Sequence, residues 1–181
     1  MIQRVQTLWL ALAALCMALC FAFPVAHYAM DLPTGQRVEA QLDLVARGDA
    51  DTLQQLASME PVVECSQRLT GMATWPLVTL CLLTVAVAAV CIFLFRRRVT
   101  QARLVGLAFL VNVGYAFAVF FWAVDKYQAL LKATCGGAAD PAVSWAAGAF
   151  LPLASLVLLF LAQRAIRKDE ARVRAADRLR N

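Results

Sequence analysis

The chain has 181 residues, of which 62% are hydrophobic and 16% are charged, and its formal net charge is +5. Soluble domains have about half apolar and about a quarter charged residues, so the composition excludes an ordinary soluble domain. The positive charge does not indicate a nucleic-acid partner, because most basic residues lie beside the ends of apolar runs, where they orient membrane proteins. We therefore expect a single integral membrane domain over residues 1–181.

Four apolar runs are each about long enough to cross a bilayer, which takes about 20 residues. They cover residues 5–26, 75–95, 104–123 and 142–162. Between and after them lie outer loops at 27–74 and 124–141, a cytoplasmic turn at 96–103 and a cytoplasmic tail at 163–181. The predicted fold is all-α, a four-helix transmembrane bundle with a small extracytoplasmic cap from the first outer loop and a helical tail. The first run exceeds the apolar part of a secretory leader, so we expect it to be retained as an anchor.

Orientation follows from the basic residues, which accumulate on the cytoplasmic side of short connections. Placing the N-terminus, the turn 96–103 and the tail on one side gives that side 12 of the 17 basic residues. Both termini are therefore predicted to be cytoplasmic. Five aromatic residues fall near the predicted outer ends, where amphipathic rings favour the headgroup layer. They are Tyr28, Trp75, Trp122, Tyr127 and Trp145.

The first outer loop is too short and too polar to form a core of its own. Its segment 37–44 alternates between apolar and polar residues, which is typical of a strand, while Val38, Leu42 and Val45 also fit one face of a helix. The sequence leaves strand and helix open for residues 37–46. A short helix is predicted over 51–59, ending before Pro61.

The interiors of the four runs contain no Asp, Glu, Lys, Arg or His, although transporters and pumps usually place such residues there. Asn112 is the notable polar residue, and we expect it to make a hydrogen bond between helices. Asp140 and Pro141 are expected to cap the fourth helix, and Pro152 is expected to kink it and release a carbonyl group.

Two of the six cysteines, Cys65 and Cys135, lie in the two outer loops and could form a disulfide in an oxidising compartment. Four-helix thiol oxidoreductases of the DsbB type also carry cysteines in their outer loops, so a quinone-linked redox protein is one alternative. Such enzymes need a reactive pair close in sequence, and no Cys-x-x-Cys occurs here. His27, the sole histidine, could be a haem or metal ligand or an interfacial polar residue, and the lack of a clear second ligand favours the latter.

The tail is rich in helix-forming residues, so the fourth helix is expected to continue into the cytoplasm. Its charged residues are candidates for docking a protein partner, and the alternative is a solvated basic segment that only stops translocation. They are Arg167, Lys168, Asp169, Glu170, Arg174, Asp177, Arg178 and Arg180. Ile166, Val173 and Leu179 form a broken apolar stripe along the same segment, and Glu170 is spaced to pair with Arg174.

Both ends of the chain carry distinctive motifs. The opening reads MIQR-x-QT, residues 91–95 read CIFLF before a basic turn, residues 151–153 read LPL, and the chain closes on AIRKDE and AADRLR. With these motifs the chain resembles, from end to end, the Bacteroidetes family known as domain of unknown function 4293. The resemblance implies a small four-span inner-membrane protein and transfers no catalytic residue. Motifs at the two ends of the chain suggest a docking surface on the cytoplasmic side.

These observations predict a non-enzymatic structural or accessory subunit of a cell-envelope assembly in the bacterial inner membrane. The alternatives are the redox protein described above and a membrane protein that binds a small ligand or a lipid. The expected partners are the lipid bilayer and a protein bound through the tail or a bundle face. No catalytic, cofactor-binding or metal-binding residue is assigned, and the oligomeric state is open.

Overall fold

A computed structural model of the chain describes residues 2–31, 37–44, 74–94, 98–135 and 141–180. These residues are mostly helical, as predicted. The helices are α1 (Ile2–Leu19), α2 (Trp75–Phe93), α3 (Arg98–Phe117), α4 (Val124–Cys135) and α5 (Ala147–Arg180). A π-helical segment, Ala118–Ala123, joins α3 to α4 without a break, so the described residues form four continuous helices. Three short strands accompany them: β1 (Ala26–Asp31), β2 (Arg37–Leu42) and β3 (Ala142–Trp145).

Three helical stretches within the described residues are long and apolar enough to cross a membrane. They are Trp75–Phe93, Val99–Ala133 and Ala147–Val173. The apolar part of α1, Val5–Leu19, is shorter than a typical span. The chain is thus a membrane protein by the length and composition of its helices, and a fourth crossing by α1 remains a prediction.

The chain divides into two compact units. The first comprises Met1–Leu19, Thr79–Ala116 and Phe150–Asn181, and the second comprises Cys20–Val78 and Phe117–Ala149. One cluster of buried side chains in the first unit draws on α1, α2, α3 and α5. Its members are Leu10, Ala13, Cys91, Val105, Ala108, Leu159, Ala162 and Ile166.

The first unit has the polarity of a protein that packs in lipid. Its fully buried side chains include Asn112, Ser155 and Thr84, whereas its outward side chains are large and apolar. The outward set includes Leu8, Leu15, Leu82, Val90, Leu110, Val157 and Phe160. Without water on the outside, apolar residues can cover the surface while polar groups pair between helices.

The second unit contains an antiparallel sheet with the strand order β2-β1-β3. Tyr28 of β1 lies opposite Ala40 on one side and opposite Val143 on the other. Backbone hydrogen bonds extend this pairing beyond the strands, because Val25 donates to the Leu42 carbonyl oxygen at 2.8 Å and Ala146 donates to the Val25 carbonyl oxygen at 3.0 Å. The sheet thus joins the residues after α1 to the residues before α5. For residues 37–46, where the sequence left the element open, the structure forms a strand over Arg37–Leu42.

The first apolar run differs from its prediction, because α1 ends at Leu19 and not at Ala26. Pro24 lacks an amide hydrogen and disfavours helical geometry in the residue before it, so the run leaves the helix and enters β1. Apolar character continues to Ala26 because Val25 and Ala26 are buried beside the sheet. Hydrophobicity alone could not separate these two environments.

The second outer loop is also corrected, because residues 124–135 of the predicted loop 124–141 form helix α4. Val124, Tyr127 and Leu131 recur at helical spacing and are all buried, which explains why this charged segment stays helical. The fourth helix begins at Ala147, and not at 142, because residues 142–145 pair with β1. Pro141 therefore precedes a strand, and the predicted cap at Asp140 and Pro141 is wrong. The helix predicted over 51–59 lies outside the described residues.

Candidate functional site

Amide side chains tie the helices of the first unit at one end. Gln6 of α1 donates from Nε2 to the Ala165 carbonyl oxygen of α5 at 3.3 Å, and Gln101 of α3 donates to the Cys91 carbonyl oxygen of α2 at 3.0 Å. Cys91 lies in the last turn of its helix, where carbonyl groups lack partners within the helix. Both glutamine side chains are buried. The Gln6 bond therefore holds α1 to α5, and the Gln101 bond holds α3 to α2.

Small polar groups link the same helices along their length. Asn112 donates from Nδ2 to the Pro152 carbonyl oxygen at 3.3 Å, and Ser155 donates to the Ala13 carbonyl oxygen at 3.3 Å. The Cys81 thiol donates to the Met17 carbonyl oxygen at 3.2 Å. Within the described part of the chain, Asn112 Oδ1 is buried and accepts no hydrogen bond. Asn112 thus contacts the helix that contains Pro152, and half of its amide is left unused.

Two tyrosines form the centre of the second unit. The rings of Tyr28 on β1 and Tyr127 on α4 lie 4.8 Å apart between centroids, and both side chains are almost fully buried. Tyr127 donates its hydroxyl to the Gln41 carbonyl oxygen of β2 at 3.0 Å. The Tyr28 hydroxyl is buried and makes no hydrogen bond to any described residue. The Tyr127 hydroxyl therefore links the sheet to α4, whereas the Tyr28 hydroxyl is buried without such a bond among the described residues.

This enclosure changes the acidity of Tyr28. Burial raises the pKa of the Tyr28 hydroxyl above its ordinary value, and the nearby Tyr127 and Asp125 raise it further. A phenolate at this position would lose its hydration and face negative charge, so Tyr28 stays neutral in the folded protein. The residue has no feature of a nucleophile or a general base.

Other aromatic residues of the second unit line its surface. Phe120 packs on Trp145 at 4.9 Å, Phe117 stacks on Phe121 at 4.7 Å, and Lys126 Nζ lies 4.9 Å from the Trp122 ring centroid. Trp75, Trp122 and Trp145 are exposed, in keeping with rings that face the headgroup layer. Tyr28 and Tyr127 are not, because the sheet and α4 bury them against each other.

The residues proposed for docking all belong to α5, which continues as one helix to Arg180. Arg167 and Lys168 are exposed, and Asp169 and Glu170 are half-buried. Arg174, Asp177, Arg178 and Arg180 lie in the helix, but their side chains are not among those the structure describes, so the Glu170–Arg174 pair is untested.

The cysteines give no site in the described residues. Cys65 lies outside them, and Cys135 is the last residue of α4, so their predicted disulfide is untested. Cys16, Cys20, Cys81 and Cys91 are present as thiols. Within the described ranges, no three His, Cys, Asp or Glu side chains lie close enough together to hold a metal ion. His27 lies in β1, and its carbonyl oxygen accepts a hydrogen bond from Ser144.

Sequence reasoning missed the residues that make most of these contacts. Gln6, Gln101, Ser155, Tyr28 and Tyr127 hold elements together, yet none was assigned a structural contact. A usable signal existed for the glutamines, because a long amide beside an apolar run must pair with another helix or with water. For the two tyrosines no signal existed, since their contact depends on a sheet that the sequence did not reveal.

The family model described as "Domain of unknown function (DUF4293)" matches residues 2–179. The match covers nearly the whole chain, including all but the outermost residue of each end motif. No curated protein and no solved structure matches the chain.

Proposed function

The chain belongs to the family described as domain of unknown function DUF4293, and from its structure we propose that it is a non-enzymatic accessory protein of the bacterial inner membrane. In this proposal α1, α2, α3 and α5 form a four-helix transmembrane bundle. The far end of α5 docks a partner protein of a cell-envelope assembly on the cytoplasmic side.

Membrane insertion of α1 is supported by its two faces. Leu10 and Ala13 are buried in the same cluster as residues of the three longer helices. Val5, Leu8, Leu12 and Leu15 are exposed on the other side, with no charged residue among them. Over its 18 residues α1 is about 27 Å long, and its apolar part, Val5–Leu19, covers about 22 Å of a hydrocarbon core about 30 Å thick. A helix with one packed and one apolar exposed face is more stable in lipid than in water.

The proposed orientation, with both termini cytoplasmic, rests on the basic residues and on the contact between the two ends. Gln6 bonds to Ala165, so the start of α1 and the late part of α5 lie at the same end of the first unit. That end also carries Arg103 at the beginning of α3 and the basic residues after Phe160. The excess of basic residues there favours the cytoplasmic side.

The docking proposal rests on one observation: residues on a single face of α5 are buried by other helices up to Ile166 and become exposed at Val173. Leu159, Ala162 and Ile166 form the packed face, and Ile166 is 1% exposed. Val173 continues this face two turns later and is 41% exposed. Asp169 and Glu170 flank it, which would give a partner both an apolar contact and a charge to recognise.

The test is affinity purification of the tagged full chain from its native membrane in mild detergent, followed by mass spectrometry. The variant Val173→Glu puts a charge on the uncovered face. Ala171→Glu is the matched control, because Ala171 is exposed and lies on the opposite side of the same helix. We expect wild-type and Ala171→Glu proteins to retain the same stoichiometric partner and Val173→Glu to lose it.

Two results would contradict the proposal. The first is that Val173→Glu co-purifies the same proteins as the wild-type chain. The second is that both variants lose the partner equally, because the added charge and not the face of the helix would then cause the loss. An absorption spectrum of the same sample tests the redox alternative, since a bound haem or quinone would contradict an accessory role without a cofactor.

A further inference from the structure

The exposed face of α5 changes abruptly from apolar to basic. Phe150, Leu153, Val157 and Phe160 are exposed and recur every three or four residues, so they lie on one face of the helix. The same spacing continues into exposed basic residues without a gap. These are Arg164, Arg167, Lys168 and Arg172.

This face points away from the rest of the first unit. The packed residues Leu159, Ala162 and Ile166 lie on the opposite side of the helix. Asp169 and Glu170 fall outside the arc of the basic residues and are half-buried. Among the side chains that the structure describes, the outward face after Phe160 therefore carries basic residues and no acidic one.

A second helix adds to the same surface. Arg103 of α3 is exposed, and the exposed residues Leu107 and Leu110 follow it at one and two turns. Helices α3 and α5 approach each other closely at Gly106. A Cβ atom added there would lie 3.3 Å from Gln163 Nε2 of α5. Arg103 lies one turn before Gly106, and Arg164 directly follows Gln163. Both helices therefore change from apolar to basic at the same level.

We propose that Arg103, Arg164, Arg167 and Lys168 form a binding site for the headgroups of anionic phospholipids. The step from Phe160 to Arg164 takes about 6 Å along the helix, which matches a sharp boundary between hydrocarbon and headgroups. Long basic side chains at such a boundary extend toward phosphate groups. With four cations and no acid on the face, the site favours lipids with a net negative charge over zwitterionic ones.

This inference does not depend on the docking proposal, which concerns the opposite face of α5. The test uses the full chain reconstituted in phosphatidylcholine vesicles that contain a minor fraction of phosphatidylglycerol. Native mass spectrometry of the released protein measures the preference for phosphatidylglycerol. The variant Arg164→Gln with Lys168→Gln removes two charges from the site, and Lys126→Gln with Lys132→Gln removes two exposed charges from α4 as the matched control.

We expect the site variant to lose about fivefold in preference for each residue replaced, and the control to change by less than about twofold. High salt should reduce the preference of the wild-type protein, because surface charges are screened. The charge-conserving variant Arg164→Lys with Lys168→Arg should retain it. An unchanged preference in the site variant, or an equal loss in the control, would overturn the proposal. If the site variant lost a co-purifying protein while its lipid binding stayed unchanged, the basic face would bind a protein, and the lipid proposal would also be overturned.

Discussion

The side chain of Gln6 donates a hydrogen bond to the carbonyl oxygen of Ala165, so the beginning of the first helix is fixed to the late part of the last one. These residues belong to the two end motifs, MIQR-x-QT and AIRKDE, that are separated by most of the chain. The motifs thus meet in the folded protein. The buried Gln6 side chain is used by this contact, whereas exposed residues of the same motifs, such as Val5, Arg167 and Lys168, can be reached by a partner.

Replacing Gln6 by alanine should destabilise the first unit by about 1 kcal/mol, since a buried hydrogen bond between membrane helices contributes about that much. The midpoint of thermal unfolding in detergent measures the effect. Val5→Ala is the control, because Val5 is exposed on the same turn. Equal midpoints for Gln6→Ala and the wild-type protein would show that the bond contributes nothing to stability.

Gly148→Ala should strongly destabilise the second unit, by about 3 kcal/mol. The Gly148 amide donates to the Pro24 carbonyl oxygen at 2.9 Å, and an added Cβ would collide with that oxygen and lie 2.7 Å from the Phe23 carbonyl oxygen. Backbone atoms cannot move aside as a flexible side chain can. Gly114→Ala is the matched control, because a Cβ there meets no atom within 4 Å. Similar unfolding midpoints for the two variants would contradict the close approach at Gly148.

Tyr127→Phe and Tyr28→Phe should differ although they remove the same hydroxyl group. The Tyr127 variant loses the bond to Gln41 and should cost about 1 kcal/mol. The Tyr28 variant removes a buried hydroxyl that has no hydrogen-bond partner among the described residues, so it should be neutral or slightly stabilising. Chemical unfolding of both variants measures the difference, and a larger loss for Tyr28→Phe would mean that its hydroxyl is bonded.

Alkaline pH should weaken the second unit through Tyr28. The unfolded tyrosine loses its proton near its ordinary pKa of about 10, whereas the folded one keeps it because burial raises its pKa. Between these two pKa values the unfolded state binds fewer protons, so stability falls as pH rises above about 10. Unfolding midpoints measured across this range should fall less steeply in Tyr28→Phe than in the wild-type protein. Parallel curves would contradict the raised pKa.

Asn112→Leu should change stability by less than about 1 kcal/mol, although Asn112 is fully buried. The substitution removes one bond to Pro152, but it also removes an oxygen that has no partner among the described residues, and the two side chains have the same branching and number of heavy atoms. A loss of several kcal/mol in thermal unfolding would contradict this expectation and show that Oδ1 is hydrogen-bonded in the folded protein.

Sequence analysis located the apolar helices well and the polar connections poorly. The run 75–95 is close to helix α2, because a long apolar segment between polar flanks has few alternatives. The runs at 5–26 and 142–162 each included residues that form strands. Val25 and Trp145 are apolar whether they face lipid or a sheet, and pairing between residues more than 100 positions apart leaves no local signal. The helix over 124–135 was missed because its charged residues matched the composition of a loop.

Contacts between side chains are likewise predictable from the sequence in some cases and not in others. A polar residue inside an apolar run predicts a contact with another helix, and Asn112 bonds to α5 through the Pro152 carbonyl oxygen. Tyr28 and Tyr127 lie far apart in sequence, and each one alone fits the composition of the headgroup layer. Their contact follows from β1 lying centrally in the sheet, which requires knowledge of the tertiary structure.

The central position of β1 also bears on how the protein is made. Its two neighbours, β2 and β3, are synthesised at very different times, because Ser144 pairs opposite His27 only after more than a hundred further residues have been translated. During that interval one edge of β1 has no partner from β3, and unpaired edges are prone to wrong association. The sheet is therefore complete only once the residues directly before α5 have been synthesised.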